Sequence, residues 1–112
     1  MVSPSAVVLV SFPFSDLSSA KLRPAVVLAS AGRADWILCQ VTSNPYADVY
    51  AVEISDGDFL KGGLRRTSYA RPGKLFTASR NLIVRQVGQL KPKLFETIVN
   101  ATVSLLQSGL RP

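Results

Sequence analysis

Two short stretches carry the residues best suited to chemistry. Lys21-Leu22-Arg23-Pro24-Ala25-Val26-Val27-Leu28 sets an arginine at the mouth of an apolar run, and Gln40-Val41-Thr42-Ser43 ends another run on two hydroxyls. If the two runs are neighbouring strands, Arg23 and Thr42 converge on one anion. A guanidinium beside a hydroxyl suits a phosphate, because arginine makes charge-assisted, often bidentate hydrogen bonds to phosphate oxygens. Each residue also has a plainer role open to it. Arg23 can be a strand-entry arginine in a surface ion pair. Thr42 can cap the Asn44-Pro45 turn through its hydroxyl.

Other chemistries are narrowed by composition. The chain has no histidine, which removes the commonest general acid and base and excludes Ser-His-Asp and Cys-His arrangements. Its single cysteine, Cys39, lies inside an apolar run and reads as a small buried hydrophobe, not a nucleophile. One cysteine allows no disulfide framework or zinc cluster within one chain. No carboxylate cluster stands out that would hold a metal, so neither cofactor nor metal is expected.

Charge points to a partner. The net charge is +6, and it is unevenly placed. Residues 1–58 hold three basic and six acidic residues. From Phe59 to Phe95 there are nine basic residues and no acidic one. Such asymmetry suits a polyanion, either nucleic acid or an acidic protein segment; the plainer alternative is a solvated basic face. Arg65, Arg66, Arg71 and Lys74 are the candidates for a groove that tracks a nucleic-acid backbone. Tyr69 or Phe14 could stack on a base, although either is more often core.

The elements that must position these residues follow from the apolar pattern. At 112 residues with 47% hydrophobic and 18% charged content, the chain reads as one globular domain over residues 1–112. No apolar run approaches the roughly 18 residues needed to span a bilayer. Ala6 to Phe14 is short, lacks a basic flank and contains Pro13, so it reads as a strand and not a signal peptide. A cytoplasmic protein without a membrane partner is the expectation.

Ala6–Phe12 is β-branched and apolar, a buried strand ended by Pro13. Phe14–Leu22 has the composition of a loop, with its tip at Ser18-Ser19-Ala20-Lys21. Pro24 pushes Arg23 toward extended backbone and places the pair at a strand start or an edge. Ala25–Ala29 and Trp36–Thr42 are the next strands, with a turn at Ser30–Arg33. Ser43-Asn44-Pro45 is a strong turn signal. Val49–Ile54 alternates like a half-buried strand, and Phe59–Leu64 looks like a loop with one hydrophobic anchor. Thr67–Arg71 is a short strand broken by Pro72-Gly73, followed by an extended Lys74–Thr77 and by Asn81–Gly88. Trp36 belongs to the core or to a dimer interface. Leu94, Phe95, Ile98, Val99, Ala101, Leu105 and Leu106 then recur at helical spacing. Pro92 suits the first helical position and Gly109 a stop. Lys91 offers no capping acceptor, so the helix needs packing. Six or seven short strands followed by one helix describe a mainly β fold, a small β-barrel closed or plugged by a C-terminal helix.

Taken together, these segments resemble the MazF/PemK family of type II toxins. The matching features are the opening strand into Phe-Pro-Phe-Ser-Asp-Leu, then Lys21-Leu22-Arg23-Pro24, Val41-Thr42-Ser43, Ser68-Tyr69-Ala70-Arg71-Pro72-Gly73-Lys74-Leu75-Phe76-Thr77, Val87-Gly88-Gln89-Leu90 and the final helix. The likeness runs from about Val7 to about Leu106. It implies an SH3-like barrel and a sequence-specific endoribonuclease acting on single-stranded mRNA. The substrate 2′-OH would attack its own 3′-phosphate, leaving a 2′,3′-cyclic phosphate and a 5′-OH, without a metal. The family's usual catalytic pair maps onto Arg23 and Thr42. The RNA-contacting set is Lys21, Ser43, Asn44, Arg65, Arg66, Arg71 and Lys74. The implied partners are RNA, a second copy in a homodimer, and an antitoxin whose acidic tail covers the basic groove. Two features depart from the pattern. Some members carry a carboxylate where this chain has Gly73, and some carry a histidine in the first loop. Asp16 is the one acid in that loop here, and it is not assigned as the base. Two other readings stay open. One is a non-catalytic binding module on the same barrel, either an RNA binder or a gyrase-targeting toxin; Leu105–Pro112 lacks the aromatic tip a gyrase contact would favour. The other is a dimerisation module with an unrelated partner.

Overall fold

The computed structural model describes residues 2–13 and 20–111. Phe14, Asp16 and the Ser18-Ser19 loop tip lie outside the described residues. Seven strands form one antiparallel sheet: β1 Ala6–Pro13, β2 Ala20–Gly32, β3 Asp35–Thr42, β4 Val52–Ile54, β5 Phe59–Gly62, β6 Ser68–Ser79 and β7 Ile83–Leu90. The helix α1, Pro92–Ser108, follows. The sheet order is β4-β6-β3-β2-β1-β7-β5, and the sheet curls into a half-barrel.

Both faces of the central strands are buried, which is why they read as continuous apolar runs. Val7, Val26, Cys39, Val41, Ile54, Ala70 and Leu90 form one core with Ile98 of α1. Ala6, Val8, Val10, Ala25, Val27, Leu38 and Ala78 form a second, against which Val2, Trp36, Phe76 and Ile83 pack. Trp36 thus joins the second core. The helix seats Ile98 and Thr102 and lies against β6 and β4. Lys91 makes no side-chain cap, as its chemistry dictates. Gly109 does end the helix, but with right-handed backbone at φ −71°.

Several segments differ from the sequence reading. Lys21 and Leu22 are not loop residues: β1 and β2 continue their pairing through Ser11↔Leu22, Phe12↔Lys21 and Pro13↔Ala20. Cross-strand pairing here overrides loop-like composition. Pro24 stands inside β2, opposite Leu9. The ladder to β3 begins only at Ala25↔Gln40, so at Pro24 the strand has one recorded neighbour and tolerates the missing N–H. The β2–β3 turn is Arg33-Ala34, because Gly32 already pairs with Asp35. Only Val52–Ile54 of the expected fourth strand is extended, since hydrogen bonds to Pro45 O and the Asp48 side chain hold the preceding segment in turns. Phe59–Gly62 is a strand, not a loop; it pairs with β7.

Pro72-Gly73 does not break the chain into two strands. β6 runs through it, and the register on β3 shifts between Val41↔Ala70 and Cys39↔Leu75. The extra residues form a bulge, the one interior place where a sheet accepts proline. The buried Cys39 thiol donates to the Arg71 carbonyl across this bulge at 3.2 Å. Burial pushes the thiol up to about 12, so Cys39 is a structural donor and not a nucleophile.

Candidate functional site

Arg23 and Thr42 share one cleft. The β2–β3 ladder ends at Ala25↔Gln40, two residues short of each of them. Strand alternation puts Arg23 on the face of Ala25 and Val27, and Thr42 on that of Leu38, away from α1. Both line an open cleft of about 430 Å³ at the end of β3. Four cations line this cleft, Lys21, Arg23, Arg65 and Arg66, and among the described residues no carboxylate does. Leu22, Pro24, Val41 and Leu64 supply its apolar wall, and Ser43, Tyr46 and Ser68 complete it. Arg23 is half-buried with its Nε fully buried, whereas Arg65 and Arg66 are exposed. Arg23 is thus the more enclosed cation of the cleft, and Arg65 and Arg66 the more accessible ones.

The Arg65-Arg66 loop is held from below. Ser68 is buried, and its hydroxyl donates to the Arg66 carbonyl at 3.0 Å. The loop's other end is tied to β7, where Gly63 N–H donates to Val87 O at 3.1 Å.

Thr42 fills the plainer role anticipated for it. Its Oγ1 donates to Asn44 O at 3.0 Å and accepts from Asn44 N–H at 3.1 Å. The next residues form a turn in which Tyr46 and Ala47 both have positive φ, 51° and 60°. Two successive non-glycine residues there cost of order 1 kcal/mol or more each. Local bonds offset that cost. Asn44 Oδ1 accepts Tyr46 N–H at 3.0 Å, and Asp48 N–H donates to Pro45 O at 2.8 Å.

Asp48 anchors the turn to β6. Arg71 Nε donates to Asp48 Oδ2 at 2.9 Å, with both side chains largely buried. The hydrogen bond from Arg71, then the one from Tyr50 N–H, hold the Asp48 carboxyl below the usual carboxylate range. The Arg71 guanidinium lies 5.8 Å from the centre of the Tyr46 ring, within cation–π distance.

The cleft gathers Lys21, Arg23, Thr42, Ser43, Arg65 and Arg66. Asn44 does not line it but ties Thr42 and Tyr46 together. Arg71 and Lys74 do not line it either; Arg71 serves Asp48 and Tyr46 from behind. Tyr69 is paired within β6 against Thr42 and Glu53. Sequence reasoning missed Tyr46. Its signal was the Asn-Pro turn immediately before it, which puts an aromatic at a turn apex.

A family model for the PemK-like, MazF-like toxin of type II toxin–antitoxin systems matches residues 4–106. The chain belongs to this toxin family. Solved structures agree on the fold. An endoribonuclease in complex with its cognate antitoxin from a mycobacterial species is 16% identical with a TM-score of 0.75, covering 100% of this chain and 99% of that one. A MazE–MazF structure from Deinococcus radiodurans is 17% identical with a TM-score of 0.75, covering 94% and 95%. The Mycobacterium tuberculosis toxin MazF-mt6 is 15% identical with a TM-score of 0.71, covering 91% and 96%. No curated protein sequence matches this chain. The cationic cleft occupies the β3 end of the sheet, where Arg23 and Thr42 come from one face and Val41 and Leu64 from the core that α1 covers. Among the described residues, no helix is long and apolar enough to cross a membrane.

Proposed function

We propose that this PemK-like chain is a sequence-specific endoribonuclease that cleaves single-stranded RNA, the toxin of a cytoplasmic type II toxin–antitoxin pair. The observation that carries the reading is the shared cleft of Arg23 and Thr42, lined by three further cations and, among the described residues, no carboxylate. Such a cleft attracts a phosphate backbone. The nucleophile is the substrate's own 2′-OH: its oxygen bonds to phosphorus as the bond to the 5′-oxygen breaks, water takes the 2′ proton and water protonates the departing 5′-oxygen, so the protein has to orient the hydroxyl and stabilise charge developing on phosphorus. Arg23, fixed and half-buried, aims a guanidinium at the non-bridging oxygens. Thr42 gives its proton to an exposed carbonyl in the free chain. With RNA bound, the Thr42 hydroxyl donates its hydrogen bond to a phosphate oxygen instead, while water takes over Asn44 O. Lys21, Ser43, Arg65 and Arg66 hold the strand, with Asn44 fixing the turn beside them. Metal-independence is part of the proposal. Among the described residues, no three His, Cys, Asp or Glu side chains gather to hold an ion.

An acidic antitoxin segment satisfies the same cations, so antitoxin and RNA compete for one cleft. A second copy of the chain completes the reading as a homodimer. Val49 is 87% exposed, and Tyr50, Leu106 and Leu110 are also bare, an apolar surface suited to protein contact. One observation favours a second reading, a non-catalytic RNA-binding module: Thr42 spends its hydroxyl on its own turn.

The deciding assay incubates the purified protein with a long, weakly structured RNA in EDTA and maps the ends. Discrete cuts leaving 5′-OH ends are expected. Arg23→Ala and Thr42→Ala, each checked for folding by circular dichroism, are expected to lower the cleavage rate roughly 10²–10³-fold. Intact RNA at high protein concentration would overturn the catalytic reading in favour of the binding module.

A further inference from the structure

Tyr46 is the one aromatic lining the cleft among the described residues. Its side of the site is unlike the rest. The residue is 67% exposed, so the ring is open to a ligand. The backbone that presents it is left-handed over two non-glycine residues, a conformation that persists only where surroundings impose it. Asn44 Oδ1 holds the Tyr46 N–H, Thr42 holds Asn44, and Asp48 is anchored on Arg71. The Arg71 guanidinium, which the Asp48 carboxylate keeps in place, lies within cation–π distance of the ring. A strained turn, a carboxylate and a cation together present one exposed aromatic beside the phosphate-binding pair.

We propose that Tyr46 is a stacking platform for a nucleobase adjacent to the phosphate held at Arg23 and Thr42, with Arg71 as the positioning residue behind the ring. The inference rests on the RNA-cleaving reading and names how that site holds its substrate. Every base offers a π-face, and an aromatic held in place takes it with little loss of side-chain freedom. The cleft's cations supply affinity for any strand. The platform adds a contribution that depends on the base being present at one position.

The test uses an RNA oligonucleotide spanning a mapped cut, with 2′-fluoro at the nucleotide before the cut so that no nucleophile is available. Abasic substitutions are placed at each position in turn. For the unaltered protein, one position is expected to lose roughly 10- to 100-fold in affinity when its base is removed. Tyr46→Ala abolishes that one penalty and leaves the others, while Tyr46→Phe retains it. Arg71→Gln shrinks the same penalty and Arg71→Lys restores it, a position-specific effect that loss of general stability does not produce. Folding of each variant is checked by circular dichroism. An abasic profile unchanged in Tyr46→Ala overturns the platform while leaving the cleft reading intact. Equal losses in Tyr46→Phe and Tyr46→Ala also overturn it, since the hydroxyl and not the face would then be the contact. No binding by the unaltered protein, with Arg23→Ala indistinguishable from it, brings down the RNA reading and the platform together.

Discussion

At the scale of single residues, the ion pair between Asp48 and Arg71 explains more than either partner alone. It joins the turn after β3 to the bulge of β6, across 23 residues of sequence. Its effect on stability has a definite sign. The Asp48 carboxyl is held below its ordinary value of 3.8, first by the hydrogen bond from Arg71. A depressed folded-state pKa stabilises the fold above the unfolded value, and that contribution disappears as pH falls through the folded one. The fall in melting temperature between about pH 4 and pH 2 is therefore expected to be steeper in the unaltered chain than in Asp48→Asn. Thermal melts followed by circular dichroism at matched ionic strength check this. Equal slopes would mean that Asp48 has no special place in acid unfolding. Nothing local in the sequence announces this pair. Asp48 looks like a turn residue and Arg71 like one of nine cations, and only the folded register makes them neighbours.

At the scale of elements, the β5–β7 seam is the least forgiving part of the sheet. Gly62 has φ of 68°, and a Cβ there would overlap the Val87 carbonyl oxygen. Gly88 lies under the Phe59 ring, where a Cβ would come within 2.7 Å of it. Gly62→Ala therefore meets both backbone strain and a clash with main chain that cannot swing aside. It is expected to cost about 2–3 kcal/mol, read from denaturant melts, and to weaken RNA binding by loosening the Arg65-Arg66 loop that follows. A cost below about 0.5 kcal/mol would show that the seam can relax. The sequence discloses elements unequally. Ala6–Phe12, Trp36–Thr42 and the final helix are legible because burial on a fixed face repeats along them. Arg23 and Thr42 are legible as a pair because the two runs that carry them pack side by side. β6 is not, since Pro72-Gly73 is the ordinary mark of a turn, and only a bulge opposite β3 lets a strand run through it. Lys21 and Leu22 fail for a related reason: pairing with β1 is a long-range fact that their own composition does not carry.

At the scale of the whole molecule, charge and topology divide the labour. The chain carries +6 overall, and the cleft concentrates four cations at one end of the sheet. If Arg65 and Arg66 each neutralise one phosphate, replacing either by alanine lowers the slope of log affinity against log salt by about 0.7, and replacing both lowers it by about twice that. Titrations of a non-cleavable single-stranded RNA between low and moderate salt measure it. An unchanged slope in the double variant would place both side chains off the RNA path. The sheet order has a further consequence, for how the toxin behaves when crowded with copies of itself. A half-barrel has two open edges, and open edges invite other chains to add strands. Here the two terminal strands are the shortest in the sheet, three residues in β4 and four in β5. β5 ends on a left-handed glycine that turns the backbone away. β4 covers only Ser68–Ala70 of β6, and β5 only Gly88–Leu90 of β7. The curl that opens the cationic cleft thus ends in two short strands, and the stretches of β6 and β7 that run past them are where a second chain would add.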